Sequence, residues 1–336
     1  MSVAIPSANE RQVKRAAFAL IFLSLFVAIS LLLVDVVCRN FDNGSADTQV
    51  QHQNHKLFAP TTDQPFYVLL IGSDSRKGTA LYTGRAADHA QVDQHSDIMT
   101  LVRVDCSTST ITLLTIPRDT RMPDGTGKIN DSLLSNDPNE VVAAAERLLG
   151  IDIPGYIIVD FLTFPNLVDD LGGVTVDVYR DITVSNPSTG ENIKVSAGKE
   201  KTLTGDEALA LARARKQYPG EQDAYRQLNV RNIETAIIEK VAQMNDVDSI
   251  RNAIAYLRDD CSSNIDYAAL SSVIFNFVMN RDQLTVYSST GPYRGDYRGS
   301  DGIWICYDDP DTWMEIIAAV DAGLDPSTVL ASPQFK

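Results

Sequence analysis

Three apolar, β-rich segments, each with charged residues at one end, constrain the fold more than any other feature of the sequence. Residues 66–76 read FYVLLIGSDSR, residues 96–105 read SDIMTLVRVD, and residues 111–121 read ITLLTIPRDTR. Short apolar runs of this kind, bounded by turn residues, are typical of buried strands. The five residues DCSTS between the second and third segments suit a hairpin turn. The pattern predicts neighbouring strands whose ends carry Asp74, Arg76, Asp97, Arg118 and Arg121.

Carboxylates and guanidinium groups at strand ends suit a divalent metal ion together with a polyphosphate. Mg²⁺ prefers hard oxygen ligands such as carboxylates, and the planar guanidinium fork matches phosphate oxygens. The formal net charge of the chain is -15, and the sequence shows no basic stripe, which argues against a nucleic-acid partner. An acidic protein that binds an anionic substrate must hold it in a local basic pocket.

The N-terminus predicts the compartment. Residues 16–34 contain no charged side chain and, as a helix, span roughly 28 Å, close to the bilayer core of about 30 Å. Basic residues precede this segment, so the positive-inside rule places residues 1–15 in the cytoplasm. We interpret residues 16–37 as an uncleaved transmembrane signal anchor, with a cleaved signal peptide as the alternative. The predicted product is a single-pass cell-membrane protein whose globular part is extracellular.

Composition divides the rest of the chain. Residues 38–64 are polar and nearly free of aliphatic side chains, which favours a flexible extracellular stalk. Strand and helix patterns alternate from residue 65 onward, which favours an α/β fold with a central mixed sheet covered by helices on both faces. Capping signals predict helices that begin near Asp137, Thr204 and Asp223. We expect residues 244–336 to form a helical and loop extension packed on the same body.

The cysteines are compatible with an extracellular location. Cys261 and Cys306 lie in polar, turn-like contexts, RDDCSSN and WICYDDP. An oxidising compartment permits a Cys261–Cys306 disulfide, which we state as a hypothesis. The spacing leaves a pair that involves Cys106 open, and it does not match that of zinc ligands.

Seven motifs occur in order over roughly residues 65–243. They read IGSDSR, SDIM, TIPRDT, KIN, LGGVTVDV, LTGDEALALARAR and DAYR. In this order they resemble the LytR-CpsA-Psr (LCP) family of Gram-positive cell-envelope proteins, and the single N-terminal anchor agrees with that family. The resemblance implies that residues 65–243 form an extracellular LCP catalytic domain. It also implies a phosphotransferase that moves a glycopolymer, with one phosphate, from a polyprenyl-pyrophosphate carrier to a hydroxyl of peptidoglycan or of a protein.

The resemblance extends to individual residues. Asp74 and Asp97 match the family's metal-associated carboxylates, which would hold Mg²⁺ or Mn²⁺ on the pyrophosphate. The residues expected to bind the pyrophosphate are Arg76, Arg118, Arg121, Lys128, Arg213, Arg215 and Arg226. Of these, the residues expected to act in catalysis with the two aspartates are Arg118, Arg213, Arg215 and Arg226.

Three of these arginines raise questions of geometry. Arg213 and Arg215 would diverge by about 200° on a regular helix, so either the helix loosens there or only one of them faces the phosphates. Arg226 falls in the first turn of its helix, where a cation is unfavourable toward the helix dipole. We therefore expect Arg226 to serve a bound anion.

The sequence departs from the family pattern at several positions. His95 stands where an arginine often precedes the Ser-Asp pair, and Asn229 and Val230 stand where an arginine and a glutamine are usual. These changes weaken the predicted cationic ring. The base that activates the acceptor is left open between Asp119, Asp223 and water. Two other functions stay open: a prenyl-pyrophosphate pyrophosphatase, and a non-catalytic lipid-binding or regulatory envelope protein.

Overall fold

The computed structural model describes residues 56–73, 95–218, 222–298 and 302–331. The predicted cytoplasmic segment, the signal anchor and most of the stalk lie outside these residues, as do Asp74 and Arg76. Across the described ranges, no helix combines the length and the apolar character that a membrane crossing requires.

The described residues form twelve strands and seven α-helices. The strands are β1 (Phe66–Ser73), β2 (Ser96–Asp105), β3 (Thr110–Thr115), β4 (Gly155–Val159), β5 (Val174–Val178), β6 (Ile182–Ser185), β7 (Asn192–Val195), β8 (Gly198–Leu203), β9 (Ser262–Ser263), β10 (Thr285–Thr290), β11 (Gly295–Arg298) and β12 (Ile303–Cys306). The helices are α1 (Pro138–Leu149), α2 (Thr163–Asp170), α3 (Gly205–Arg213), α4 (Gln222–Ala242), α5 (Val247–Asp260), α6 (Tyr267–Met279) and α7 (Pro310–Asp321). A 3₁₀ helix covers Ile129–Ser135.

A six-stranded mixed sheet with the order β10-β3-β2-β1-β4-β9 forms the centre of the fold. β2 is antiparallel to both β1 and β3, whereas β4 is parallel to β1 and β10 is parallel to β3. The carboxyl ends of β1, β3, β4 and β10 therefore meet the amino end of β2 at one edge of the sheet. The predicted mixed α/β fold with a central mixed sheet is confirmed.

Side-chain alternation along the strands gives the sheet two apolar faces. Leu69 and Met99 point to one face, where they share a buried cluster with α1 and with Trp313 of α7. Leu113 points to the other face and packs against Phe277 of α6. Burial of each such side chain stabilises the fold by about 1.5–3 kcal/mol. Helices packed on both faces therefore fix the position of the sheet and of its strand ends.

Helices begin near all three predicted residues, and two of the three predicted caps are confirmed. Asp137 caps α1 by accepting a hydrogen bond from the Asn139 N–H. Thr204 and Glu207 form the reciprocal capping box of α3. Helix α4 begins at Gln222, but Asp223 is not its cap. Asp223 lies inside the first turn of α4, and its carboxylate binds side chains rather than helix N–H groups.

The folded unit also contains residues on both sides of the segment 65–243. Phe58, assigned to the stalk, donates its N–H to the Asn264 carbonyl and accepts from the Asp266 N–H, each at 2.7 Å. The end of the predicted stalk, from Lys56 onward, is therefore part of the folded unit. The C-terminal region supplies strand β10 of the central sheet and the core residue Trp313. Residues 244–331 are thus an integral part of this fold.

The predicted Cys261–Cys306 disulfide is wrong, because Cys106, Cys261 and Cys306 are buried free thiols. Cys261 follows α5 and packs in the cluster beneath β1 and β4. Cys306 ends β12, and its backbone forms an isolated β-bridge with Thr120, which lies beyond the end of β3. Burial raises the pKa of both thiols to about 12. These cysteines therefore act as small apolar side chains in two separate places.

Helix α4 carries a carboxyl group into the region beneath the sheet. Glu234 Oε1 accepts a hydrogen bond from Thr100 Oγ1 at 2.9 Å, whereas Oε2 is buried without a hydrogen-bond partner among the described residues. Burial raises the pKa of Glu234 to about 7, against the smaller opposing effects of Thr100 and Arg231. The folded state therefore favours the protonated acid.

This pKa predicts that Glu234 destabilises the fold at alkaline pH. Unfolded glutamate ionises near pH 4.5, so the free energy of unfolding should fall as pH rises from about 4.5 to 7. We expect Glu234→Gln to raise the free energy of unfolding by at most about 3 kcal/mol at pH 8, and to leave it nearly unchanged at pH 4. Urea titrations of both proteins at the two pH values measure this effect, and equal differences at both would contradict the assignment.

Candidate active site at the strand ends

The edge where the strand ends meet brings predicted site residues together. Asp97 is the second residue of β2, and Arg118 lies just beyond β3. The Arg118 Nη1 group donates a hydrogen bond to Asp97 Oδ1. Ser73, the last residue of β1, lies opposite Ser96 in the register of the sheet. Antiparallel pairing thus gathers residues that are far apart in the sequence.

Asp119 links the residue after β3 to the KIN motif. Lys128 Nζ donates to Asp119 Oδ1 at 2.6 Å, and Arg118 Nε lies 3.9 Å from the same oxygen. The Ile129 N–H donates to the Thr120 carbonyl at 2.8 Å and fixes the KIN segment alongside. Asp119 is buried, so its carboxylate orients two cations from inside the fold.

Asp223 is the second buried carboxylate of the site. Its Oδ1 lies 2.8 Å from Arg226 Nε and 3.3 Å from Arg215 Nε. Gln227 Nε2 donates to Oδ2 at 2.9 Å. Arg226 Nη2 also donates to the Asp97 carbonyl at 2.9 Å. The first turn of α4 is therefore tied to the start of β2.

Charges around Asp223 determine which group can act as a base. Burial alone would raise the pKa of Asp223, but the cations Arg226, Arg215 and Arg118 lower it to about 2. A carboxylate with so low a pKa accepts a proton poorly at neutral pH. Asp119 and water are thus the remaining candidates for the base that activates an acceptor.

The end of α3 settles the question raised by Arg213 and Arg215. The helix ends at Arg213, because the backbone of Ala214 is extended with φ -66° and ψ 121°. Arg215 therefore lies beyond the helix, and its side chain reaches Asp223. Arg213 instead donates to the Ser185 carbonyl at 2.7 Å, and its guanidinium lies 4.9 Å from the centre of the Phe161 ring.

The structure places Arg121 in an ion pair outside the carboxylates of the site. Its Nη2 group lies 2.5 Å from Asp308 Oδ1, and its side chain is 48% exposed. Its N–H donates to the Cys306 carbonyl at 2.9 Å. Arg121 therefore attaches the C-terminal region to the segment after β3, rather than joining the carboxylates of the site.

A cavity of about 380 Å³ opens beside these groups. The residues that line it are His95, Asp97, Arg118, Lys128, Asn130, Asp131 and Ile303. In the described part of the chain, Arg118 Nε and Asn130 Oδ1 are buried without hydrogen-bond partners. Buried polar atoms in native proteins are nearly always paired, so these two are unusual polar groups behind the cavity wall.

Sequence reasoning missed several residues around the cavity. Asn130 belongs to the KIN motif, which offered a signal for it, whereas Ile303 and Tyr293 come from the C-terminal region, where no motif pointed to them. Burial, together with the nearby carboxylates Asp223 and Asp119, raises the pKa of Tyr293. This tyrosine is therefore a neutral hydrogen-bonding group next to the charged site.

The ion-paired charges at this edge nearly balance, whereas the whole chain has an excess of negative charge. The described cations are Arg118, Lys128, Arg215 and Arg226, and the carboxylates that hold them are Asp97, Asp119 and Asp223. The group therefore has a net charge of one positive. Burial tends to lower the pKa of Arg118, but Asp97, Asp119 and Asp223 raise it, so the guanidinium stays charged.

Asp97 can contribute to a metal site. Its carboxylate is 29% exposed beside the cavity. Mg²⁺ accepts one or two protein carboxylates and completes its shell with phosphate oxygens and water. Among the described residues, no group of three or more His, Cys, Asp or Glu side chains is arranged to hold a metal ion.

Comparison with known proteins places this geometry in a family. The LytR_cpsA_psr family model matches residues 36–310. The chain belongs to the LytR-CpsA-Psr family. Its mixed α/β fold with a central sheet is therefore that of an LCP protein.

Similar proteins include two that are named as transferases. The Bacillus subtilis (strain 168) polyisoprenyl-teichoic acid–peptidoglycan teichoic acid transferase TagV is 30% identical over 239 residues, covering 67% of this chain and 57% of TagV. This LCP chain thus spans little more than half of that relative. The Bacillus licheniformis TagU transferase is 27% identical over 83% of this chain and 82% of its own. The crystal structure of B. subtilis TagV has a TM-score of 0.62 at 25% identity and covers 81% of this chain and 99% of that chain.

This LCP protein departs from the family pattern at positions that the structure explains. Asn229 Nδ2 donates to Tyr218 Oη at 3.0 Å inside the fold. Arg231 is fully buried and donates to Thr115 Oγ1 at 2.7 Å. Arg231 therefore bonds inside the fold and is not part of the cavity wall. His95 lines the cavity, and its Nε2 lies 3.6 Å from Asp131 Oδ1.

Proposed function

We propose that this LCP protein is a phosphotransferase that moves a glycopolymer from a polyprenyl-pyrophosphate carrier to a hydroxyl of a cell-envelope acceptor, peptidoglycan or a protein. The observation that carries the proposal is the group of four cations around three carboxylates at one edge of the sheet. The names of TagV and TagU, which are transferases of polyisoprenyl-linked teichoic acid to peptidoglycan, support the same reaction class.

The proposed reaction is a displacement at the phosphorus that carries the glycan. The acceptor oxygen forms a new bond to this phosphorus, and the bond to the bridging oxygen breaks. Polyprenyl phosphate leaves with the electron pair, and the acceptor proton passes to Asp119 or to water. Arg118 and Arg226 stabilise the negative charge that develops during the displacement. Their carboxylate partners hold both guanidiniums in place before the substrate binds.

We propose that Asp97 and Asp74 hold Mg²⁺ or Mn²⁺ on the pyrophosphate. When bound, the ion would supply positive charge to a pyrophosphate that carries two negative charges. The linked residues have a single net positive charge and do not balance those two charges by themselves. The exposed carboxylate of Asp97 supports this role. Asp74 lies outside the described residues and directly follows Ser73, the last residue of β1.

Metal removal should reveal this dependence. We expect EDTA to lower the rate of glycan transfer by about 100-fold or more, since a bound cation contributes several kcal/mol of charge stabilisation. Added Mg²⁺ should restore the rate. Transfer that continues at the full rate in excess EDTA would reject the metal site and leave the arginine assignments intact.

We also propose that residues 16–37 anchor the protein in the cell membrane, with residues 1–15 in the cytoplasm. The uncharged segment 16–34 and the basic residues before it support this topology. An anchored protein meets a polyprenyl carrier within the same membrane, which suits the proposed reaction.

A reconstituted reaction tests the function. The full-length protein is incubated with a polyprenyl-diphosphate-linked glycan, labelled in the sugar, and with purified peptidoglycan. We expect labelled glycan to become attached through a phosphodiester while polyprenyl phosphate is released. Free phosphorylated glycan without an acceptor adduct would instead identify a pyrophosphatase. Donor binding without turnover would identify a non-catalytic lipid-binding protein.

A further inference from the structure

The start of α4 contains a buried amide that the proposed reaction does not use. Gln227 is 4% exposed, and the described residues that line the cavity at the strand ends do not include it. It follows Asp223 by four positions and Arg226 by one. Residues three and four positions apart on a helix are neighbours on its surface, so Asp223 lies beside both Arg226 and Gln227. The local sequence thus places an uncharged donor next to a carboxylate of the site.

The amide fixes the orientation of the Asp223 carboxylate. Gln227 Nε2 donates a hydrogen bond to Asp223 Oδ2 at 2.9 Å, and Arg226 Nη2 donates to the same oxygen at 3.3 Å. Arg226 Nε donates to the other oxygen, Oδ1, at 2.8 Å. The last torsion of an aspartate side chain has a broad energy minimum, so the carboxylate keeps one orientation only when both oxygens are bound. Gln227 is the closer donor to Oδ2 and therefore has the larger part in setting that orientation.

The other end of the amide faces strand β10. Thr290 Oγ1 donates to Gln227 Oε1 at 3.4 Å, and the next residue, Gly291, donates its N–H to the Thr115 carbonyl at 2.8 Å. The Thr290 bond is long and weak, but it gives the amide a defined direction, with its acceptor toward a hydroxyl and its donor toward the carboxylate. A carboxylate at position 227 would repel Asp223, and an apolar side chain would offer no donor, so glutamine suits both neighbours.

Arg226 depends on this arrangement. Its Nε and Nη2 groups bond to Asp223, and Nη2 also donates to the Asp97 carbonyl at 2.9 Å. In the described part of the chain these bonds use two of the three guanidinium nitrogens, which leaves Nη1 for a phosphate oxygen. The three nitrogens are coplanar, so the direction of Nη1 follows from the plane of the Asp223 carboxylate. A change in that plane would turn the guanidinium of Arg226 away from the ligand.

We propose that Gln227 is a positioning residue, which orients Arg226 through Asp223 for binding of the pyrophosphate. This inference rests on the proposed function, because it concerns how the same site holds its anionic ligand. It adds to that function an uncharged residue that does not touch the substrate. It also links the carboxyl end of β10 to the site, because Thr290 contacts Gln227.

Calorimetric titration with inorganic pyrophosphate tests this role without any turnover. The full-length protein, in an uncharged detergent with Mg²⁺, is titrated with pyrophosphate. Gln227→Met keeps the length of the side chain and removes the donor, so we expect pyrophosphate binding to weaken by about ten-fold, as the loss of a hydrogen bond to a charged group predicts. Gln227→Glu adds a negative charge next to Asp223 and should weaken binding further. Either variant carries the test if the other does not fold.

A structural amide elsewhere provides the matched control. Asn264 Nδ2 donates to the Pro154 carbonyl at 2.9 Å, and its Oδ1 accepts from the Tyr156 N–H at 2.9 Å. These contacts lie at the amino end of β4, at the opposite edge of the sheet from the site. Asn264→Leu should lower the melting temperature and leave the affinity for pyrophosphate unchanged.

A double substitution separates positioning from packing. If Gln227 acts through Arg226, then Gln227→Met in an Arg226→Met background should change the pyrophosphate affinity by less than about two-fold, because the residue that it positions is missing. A side chain that only packs would cause the same loss in both backgrounds. Equal losses in the two backgrounds, or an unchanged affinity of Gln227→Met, would overturn the positioning role, as would a lack of saturable binding by the unsubstituted protein.

The two proposals fail separately. The titration contains no donor and no acceptor. A protein that shows the expected losses of pyrophosphate affinity but never transfers glycan would refute the transferase and leave the role of Gln227 standing. A protein that transfers glycan, but whose Gln227→Met variant binds pyrophosphate as tightly as the unsubstituted protein, would refute the positioning role alone.

Discussion

Replacing Arg118 by alanine should lower the rate of glycan transfer by about 100-fold to 1000-fold, the loss typical of one preorganised donor to a developing oxyanion. The guanidinium lies at the cavity and is already oriented by Asp97 and Asp119. Its charge is available without reorganisation when the phosphorus is attacked. Transfer assays of labelled glycan at saturating donor measure the effect directly.

Matched variants separate this role from a general loss of positive charge. Arg118→Lys keeps the charge but loses the planar fork, so we expect a rate between those of the alanine variant and the unsubstituted protein. Arg258→Ala removes an exposed arginine that pairs with Asp259 and should leave the rate unchanged. Asp97 is 29% exposed and the buried Asp119 keeps its ion pair with Lys128, so loss of Arg118 should lower the melting temperature less than loss of Asp223 does. Equal rates for Arg118→Ala and Arg258→Ala would exclude Arg118 from the reaction.

Local sequence signals were sufficient to predict the centre of the fold. β1, β2 and β3 are continuous apolar runs, and helices α1 and α3 begin at residues whose caps are short-range interactions. These features depend on neighbours within a few positions, so they could be read from the sequence. Their pairing then places Asp97 next to Arg118, because antiparallel strands return the chain to the same edge.

Features that depend on distant contacts could not be predicted in the same way. Asp223 resembles a helix cap, but it binds Arg215 and Arg226, and only the tertiary fold brings Arg215 within reach. Cys261 and Cys306 stand in polar stretches of sequence, yet packing against other elements buries both. The position of β10 as an outer strand of the sheet likewise depends on its pairing with β3, which precedes it by about 175 positions.

The carboxylates of the site explain how a cluster of cations can exist in the folded protein. Four like charges within one group repel each other, and burial adds a desolvation penalty for Arg118, Lys128 and Arg226, although not for Arg215, whose side chain is 41% exposed. Asp97, Asp119 and Asp223 offset both effects and leave one net positive charge. The same ion pairs therefore stabilise the fold and hold the cations in place before the reaction. We expect some substitutions in the group to lower mainly the transfer rate, and others to lower mainly the free energy of unfolding.

Asp223→Ala should lower the free energy of unfolding by about 3–5 kcal/mol, because it leaves a buried charge without its partner. Arg226 is 5% exposed, and the Asp97 carbonyl would be its remaining acceptor among the contacts described above. For a domain of this size each kcal/mol shifts the melting temperature by about 2–4 °C, so we expect a decrease of about 10 °C. Asp259→Ala removes an exposed carboxylate that also pairs with an arginine, and should cost less than about 1 kcal/mol.

The same substitution should show a defined dependence on pH. The pKa of Asp223 is about 2 in the folded state and 3.8 in the unfolded state, so its stabilisation is complete above about pH 4 and is lost as the pH falls through 2. The difference in unfolding free energy between the unsubstituted protein and Asp223→Ala should therefore be constant from pH 5 to 8 and shrink below pH 4. Asp223→Ala combined with Arg226→Met should recover part of the loss, since an apolar pair leaves no buried charge. A difference that is independent of pH down to 2, or a double variant less stable than Asp223→Ala, would show that the ion pair is not the source of the stability.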